Sequence, residues 1–501
     1  MESVADLLMG FSTALSWENL LYCFIGVTVG MLVGVLPGLG PTTATALLIP
    51  LTFGMEPVSA IIMLAGIYYG GMYGGTITSV LINTPGEAAS VITCLDGHPL
   101  AKQGRAGAAL SAAAIGSFIG GTVSIIGLAF IGPPLAEFAL RFGPPEFFAL
   151  MIFGLVMVIG LMGNSLLRGL ISAFIGLTIA LVGMDPVSGA ARFTFGQPHL
   201  MTGFDIAVIA MGLFGVSEIM LGMERLSKGE KPAKIKGLLP KREEVRPMAK
   251  SIGRGTLLGF VTGLIPGTSS TIPAMLSYSL EKKLAKDPAR FGKGAIEGVA
   301  GPETANNSYV GAALIPLFTL GIPSSPTIAI LLGAFIMHGL TPGPTLFQNN
   351  PDFVWGIIAS MFVGNLILIV LNLPLAGVWA KIATVPPKLL YPIILIISVL
   401  GAYTASNSIW DVGVMLAFGV LGYFMKKLDI PMAPILLTFV LCQFLESSLV
   451  QTIKMFEGNL LHIFTRPIAS AMLVFAFTAL VLSIVAEVKN KKNQLVGDME
   501  A

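Results

Sequence analysis

From Trp17 onward the chain is a succession of apolar runs, roughly 17–36, 42–53, 57–82, 106–132, 145–163, 165–184 and 204–222. After a basic connector come 252–265, 271–280, 296–321, 326–338, 353–376, 388–404, 408–425, 430–450 and 467–488. Several are about 20 residues long, enough to cross ~30 Å of hydrocarbon at ~1.5 Å per residue. Others are shorter or broken by Gly and Pro. The stretches GVLPGLGPTTAT (34–45) and GLIPGTSSTIP (263–273) put such breakers at membrane depth. A lipid-exposed helix cannot carry them, because the freed peptide groups would find no partner in hydrocarbon. Non-helical backbone survives there only inside protein or beside a water-filled cavity. The expected fold is an all-α polytopic membrane protein with about 12–14 membrane segments, the short ones serving as half-helices or re-entrant hairpins. Composition agrees, since 54% of residues are hydrophobic and 11% charged.

The cations are unevenly placed. Residues 1–101 contain no Lys or Arg, so no positive n-region of a signal peptide is read there, and Glu2, Asp6 and Glu18 make the start acidic. Residues 224–254 hold ten cations and 281–293 hold five. Lys102 and Arg105, Lys426 and Lys427, and Lys489, Lys491 and Lys492 form the other clusters. The positive-inside rule puts these five segments in the cytoplasm, the N-terminus in the periplasm and the C-terminus in the cytoplasm. Arg141 and Arg192 then fall outside, a strain on that topology. The net charge of +2 points to no nucleic-acid partner. Cys23, Cys94 and Cys442 lie singly among apolar residues, without metal-ligand spacing.

The chain repeats itself. Pro37-Gly38 matches Pro266-Gly267, 229 residues on, and Pro85 matches Pro323 at an offset of 238. PPLAEFALRFGPP (from Pro133) matches LPLAGVWAKIATVPP (from Leu373), and Glu218 falls opposite Glu446. The division is an N-terminal segment 1–16, a first repeat 17–222, a connector 223–251, a second repeat 252–450, and an extra helix with its tail, 451–501. Matching loops carry opposite charge bias. The five-cation loop 281–293 answers the uncharged-to-acidic FGMEP (53–57), Lys102 and Arg105 answer the cation-free 338–353, and Lys426-Lys427 answer the loop from Gly183 to Pro186. The repeats are therefore expected to have inverted topology.

Inverted repeats with paired broken helices point to a secondary transporter whose site forms where the breaks meet. Helix N-termini there suit anions. Since no Lys or Arg sits mid-span, an anion would be held by Gly38, Thr42, Thr43, Asn83, Thr84, Gly86, Gly267, Thr268, Ser269, Ser270, Ser324 and Ser325, with Asn306 and Asn307 from GPETANNSY. Glu87, Glu303, Thr304 and Asn306 are the candidates for cation coupling. The asparagines could equally serve interhelical hydrogen bonding, and either glutamate could cap a half-helix or carry a proton.

Three stretches carry a family resemblance: GVLPGLGPTTATALLIPLTFGMEP, YGGTITSVLINTPGEAASVITCLDGHPLAKQGRAGAAL, and SYSLEKKLAKDPARFGKGAIEGVAGPETANNSYVGAALIPLFTLGIPSSPTIAILLGAFIMHGLTPGP. Across nearly its whole length the chain resembles the large membrane subunit of the tripartite tricarboxylate transporters. The resemblance implies import of a di- or tricarboxylate such as citrate across a bacterial inner membrane, driven by Na⁺ or H⁺ and without another cofactor. It also implies a small membrane subunit of about four helices and a periplasmic solute-binding protein, and a resemblance to other inverted-repeat carboxylate transporters suggests an elevator-like cycle in the lipid bilayer. Thr268-Ser269-Ser270-Thr271 stands where small residues such as Gly-Ala-Gly-Ala are expected, and Gly301 and Thr304 stand where relatives usually have alanine. The scattered His98, His199, His338 and His462 form no catalytic or metal constellation, so no enzyme is expected. An ion channel or a non-transporting sensor subunit is the alternative.

Overall fold

The computed structural model describes residues 2–36, 38–161, 165–185, 188–224, 235, 239–383, 385 and 387–500. Pro37, Pro186, residues 225–234 and 236–238 of the connector, and the side chains of Lys489, Lys491 and Lys492 lie outside the described residues.

The described chain is almost wholly helical. The first half runs α1 (Glu2–Ala14), α2 (Trp17–Val35), α3 (Pro41–Leu48), α4 (Pro57–Ile82), α5 (Val91–Lys102), α6 (Ala106–Ala139), α7 (Pro144–Leu161) and α8 (Leu166–Ala180). A two-stranded hairpin, β1 (Gly183–Met184) with β2 (Ala191–Arg192), follows. Then α9 (Ile206–Ala210) continues through a π-helical turn, Met211–Val216, into α10 (Ser217–Glu224). The second half runs α11 (Arg242–Gly263), α12 (Thr271–Leu284), α13 (Glu297–Leu320), α14 (Pro326–Met337), the short α15 (Leu346–Asn349), α16 (Pro351–Ile382), α17 (Pro387–Ser406), α18 (Ile409–Lys427), α19 (Ala433–Met455) and α20 (Pro467–Glu500). Among the described residues, eight helices are long and apolar enough to cross a bilayer. The 24-residue α13 has the length without the hydropathy, because it carries Glu303, Asn306 and Asn307. Residues 242–251 of the basic connector are the first turns of α11, and residues 2–14 form a helix packed on α16.

One order of elements occurs twice. A long helix, a break, a half-helix, a second long helix, a left-handed cap and another half-helix give α2 to α5, and again α11 to α14. The cap after α4 is Asn83 (φ 52°) and the cap after α13 is Gly321 (φ 70°). Both breaks turn on a glycine at positive φ, Gly38 (83°) and Gly267 (77°), a conformation that Cβ-bearing residues avoid. The packing recurs too. A Cβ on Gly26, Gly30 or Gly34 of α2 would lie 2.3–2.4 Å from the carbonyl oxygens of Met63, Ile67 and Gly71 on α4. Gly255, Gly259 and Gly263 of α11 stand equally close to Gly301, Ala305 and Tyr309 of α13 (2.2–2.8 Å). Each ladder is small-xxx-small twice over, the pattern that lets helix backbones touch where lipid supplies no hydrophobic drive.

The helices sort into two packed groups. One contains α1–α6 and α11–α16, built around α2 on α4, α11 on α13, and α6 on α13. The other contains α7–α10 and α17–α20, built around α7 and α8 on α19, α18 on the π-turn helix, and α20 on α7. They meet where the half-helices α3 and α14 lie against α9, the π turn and α19. In the second group, Arg192 is held by Glu446 and, at 3.5 Å, Asp185. Arg466 is held by Glu146 at 2.9 Å. Each arginine is thus neutralised within its own helix group.

The ladders carry a prediction. Gly259→Val forces a branched side chain into the Ala305 carbonyl and should lower stability by about 1–3 kcal/mol or more. Gly253→Val, on the open face of the same helix with nothing within 4 Å, should leave it unchanged. Thermal unfolding of the purified protein in detergent measures both.

Candidate functional site

Two of the four half-helices, α3 and α14, start the same way. Pro41 and Pro326 occupy the first helical position, where the missing N–H costs nothing. Thr42 and Thr327 follow directly, and their hydroxyl oxygens lie 2.8 Å apart. The positive ends of α3, from the first half, and α14, from the second, are thereby joined. Ser325 caps α14 by accepting the Ile328 N–H at 3.3 Å. Thr43, next along, turns away and donates to the Phe214 carbonyl at 2.9 Å, a group in the π turn. That hydroxyl ties α3 to the second helix group.

Behind this junction lie two tyrosines. Tyr309 on α13 donates to the Thr268 carbonyl at 2.9 Å, with the Ser324 carbonyl at 3.4 Å. It thus braces the second break against the turn before α14. Tyr68 on α4 is 1% exposed, and its hydroxyl lies beside Ser325, with Tyr309 and Glu87 also near, without completing a hydrogen bond of full geometry. The Glu87 Oε1 accepts the Asn306 Nδ2 at 2.7 Å. Asn306 is 1% exposed and its Oδ1 is left unpaired. A buried amide oxygen without a donor, beside a carboxylate and a free phenol, is a ready ligand set for a small cation or a proton-bearing group.

The structure thus brings together Thr42, Glu87, Asn306 and Ser325 with the backbone carbonyls of Thr268 and Ser324, so elements of all four interruptions share one polar core. It assigns other candidates elsewhere. The Thr268 hydroxyl is shared between its own loop's Thr262 and Ile265 carbonyls at 2.9 Å, so its side chain shapes the turn. Ser270 is buried at the start of α12 and Ser269 is half-buried beside it. The Gly267 turn abuts Val158 of α7, and the Gly38 turn abuts Glu218 of α10. Gly86 presses its backbone against the Gly34 carbonyl, a close approach that excludes a side chain. Asn83 is exposed at the α4 cap, and the Thr84 hydroxyl donates locally to Ile82 at 3.1 Å. Asn307 donates to Ser117 on α6 at 2.7 Å. Thr304 donates to Ala300 in its own helix at 2.6 Å and packs beneath Gly116 and Gly120. Glu303 accepts from Thr76 at 2.7 Å and from Thr93, so two hydroxyls hold it between α4 and α5.

Tyr68, Thr327, Thr76 and Thr93 are absent from the sequence-based set. Thr327 carried a signal: it follows a proline at the start of a half-helix, as Thr42 does. Tyr68 carried a weaker one, a phenol in the glycine-rich GIYYGGMYGG, since a buried tyrosine hydroxyl ordinarily finds a partner.

The family model described as the tripartite tricarboxylate transporter TctA family matches residues 20–437. The chain is 44% identical over 496 residues to an uncharacterized 52.8 kDa protein in the TAR-I ttuC' 3' region of Agrobacterium vitis, covering 99% of each. It is 43% identical over 237 residues to an uncharacterized protein in the TAR-II ttuC' 3' region of the same organism, covering 47% of this chain and 98% of that one. No solved structure matches.

Glu303 should behave as a structural residue. Glu303→Ala strands the Thr76 and Thr93 hydroxyls at about 1–3 kcal/mol each, whereas Thr76→Val combined with Glu303→Ala should recover part of the loss. Double-mutant thermal unfolding reads the coupling.

Proposed function

Because the chain belongs to the tripartite tricarboxylate transporter TctA family, we propose that it is the large permease subunit that carries a di- or tricarboxylate inward, coupled to a Na⁺ or H⁺ gradient. The family implies a small membrane subunit and a periplasmic binding protein as partners. In this reading the binding protein delivers substrate to the periplasmic face of a bacterial inner membrane, and the small subunit has about four helices.

The observation that carries the proposal is the 2.8 Å meeting of Thr42 and Thr327. It sets the positive ends of two half-helices from opposite halves against one another, with no basic side chain needed. A carboxylate between them would accept from both hydroxyls and from the free N–H groups of the first helical turns. Glu87, the unpaired Asn306 oxygen and Tyr68 lie behind it and would take the coupling cation. Glu303, already satisfied, would not.

Inverted topology is supported by the doubled element order, the paired glycine ladders and the opposite charge bias of matching loops. An elevator-like slide is supported by the division into two helix groups that meet through the half-helices. On this reading the N-terminus is periplasmic and the C-terminus cytoplasmic.

Electrostatics sets the stoichiometry. Bringing a dianion into an interior held ~100 mV negative opposes about 4–5 kcal/mol. Two cations per dianion neutralise the cargo and a third gives net drive. Uptake of labelled citrate and of C4 dicarboxylates into proteoliposomes holding this chain with both partner subunits should require an imposed Na⁺ or H⁺ gradient. The accompanying current should be inward positive or zero. Thr327→Val and Asn306→Leu should each lower uptake at least about tenfold, the loss of ~1.4 kcal/mol of binding, with membrane insertion unchanged. Gradient-independent uptake, or negative charge entering with substrate, would contradict the proposal.

A further inference from the structure

We propose that two ion pairs between the halves, Glu218–Lys426 and Glu446–Arg192, are alternative resting points for the interrupted hairpins. The transport cycle then carries the Gly267 turn from Val158 to Glu446, while the Gly38 turn leaves Glu218. This rests on the carrier reading above.

The two pairs are matched. Glu218 and Glu446 stand 228 residues apart on the last helix of each half, α10 and α19. Each base comes from the opposite half, Lys426 from α18 and Arg192 from β2. All four side chains are partly buried, so each charge needs its partner. Pairing offsets the carboxylate's charge when no hairpin faces it.

The hairpins use these matched points unequally. A Cβ on Gly38 would lie 3.9 Å from Glu218 Oε2, so the first break, just ahead of the positive end of α3, faces a carboxylate. Its counterpart Gly267 does not face Glu446. It lies against α7, 2.5 Å from the Val158 nitrogen by the same measure. Alternating access between inverted halves then takes the form of an exchange, in which Gly267 comes to Glu446 as Gly38 leaves Glu218.

Exchange fixes the distance. On α7, Gly154 faces Leu441 of α19, and Leu150 and Met151 cluster with Phe444 and Leu445. Glu446 is therefore level with about Leu150, eight residues from Val158, or roughly 12 Å at 1.5 Å per residue. The first half gives an independent figure. Pro144-Pro145 match Pro386-Pro387, so Val158 corresponds to Leu400. Its neighbour Gly401 now packs against Pro50, past the far end of α3. Bringing Gly38 to that level moves the hairpin by about twelve residues, at most roughly 18 Å. Both halves call for motion in one direction, toward the face where His338 meets Thr52. A cleft of about 500 Å³ already separates the two groups there. Leu320, Gly321 and Thr341 line one wall, and Phe147, Met151 and Ser447 line the other. The slide would break the Thr43–Phe214 bond at the π turn.

The test is cross-linking in full-length chain lacking Cys23, Cys94 and Cys442, reconstituted with both partner subunits. Ser269→Cys with Val158→Cys reports the present arrangement. Ser269→Cys with Ser447→Cys, bridged by a short bismaleimide, reports the exchanged one. Imposing the cation gradient with substrate should raise the second yield as the first falls, and Glu446→Gln should lower the second at least threefold. No Ser269–Ser447 product under any gradient, or a yield indifferent to Glu446→Gln, would overturn the proposal. Uptake by the cysteine-free parent separates the two readings: transport without that product removes only the resting points, whereas no transport of any carboxylate removes the carrier.

Discussion

Two interruptions of helix at membrane depth impose the controlling constraint, because hydrocarbon offers peptide groups no hydrogen-bond partner. The chain meets it by enclosing each break in protein. The α2 and α11 glycine ladders bring those helices into backbone contact with α4 and α13, which walls each hairpin on one side. Tyr309 takes up the Thr268 carbonyl of the second break, and Gly86 lets the 83–90 turn press onto α2 beside the first. Among the described buried polar atoms left without a partner, the Tyr68 hydroxyl and the Asn306 Oδ1 are the two beside Glu87, while Thr28, Tyr69 and Ser277 leave hydroxyls unpaired on the surrounding helices.

The polar core divides its labour by chemistry. Glu303 and Glu87 look alike in sequence, yet one is saturated by two threonines while the other shares a single amide with an under-used asparagine. A saturated carboxylate holds helices together, and an under-satisfied one can exchange a cation. The hydroxyls divide similarly. Thr43 and Thr268 are spent on backbone carbonyls, and Thr42 meets only another hydroxyl. In the Thr42–Thr327 pair one hydroxyl donates to the other, so one proton stays uncommitted, and in the proposed reading it is the donor that an anion would meet.

Much of the fold was legible in the chain. The run 57–82 is α4 to the residue, and Pro-Gly followed by hydroxyls marks both breaks, since those residue types have few other uses in hydrocarbon. The glycine ladder was equally readable, with GxxxGxxxG at 26–34 and again at 255–263, 229 residues on. The site was less legible because it is assembled between halves. Nothing local distinguishes Thr42, which meets Thr327, from Thr43, which meets a carbonyl freed by a π turn. Nor does sequence show that Thr304 faces a glycine groove on α6 while Asn306, two residues on, faces Glu87. The pairing of Arg192 with Glu446 was hidden as well, since the two lie far apart in the chain.

The account depends most on two halves of opposite orientation. Glu56 and Lys286 are both exposed and lie in matching loops. Single cysteines at these positions, probed with an impermeant maleimide on intact cells and on inside-out vesicles, read the orientation directly. Glu56→Cys should react only from outside and Lys286→Cys only from the cytoplasmic side. Reaction of both from one face would make the halves parallel, and the meeting of their helix ends could not then serve a carrier of this kind.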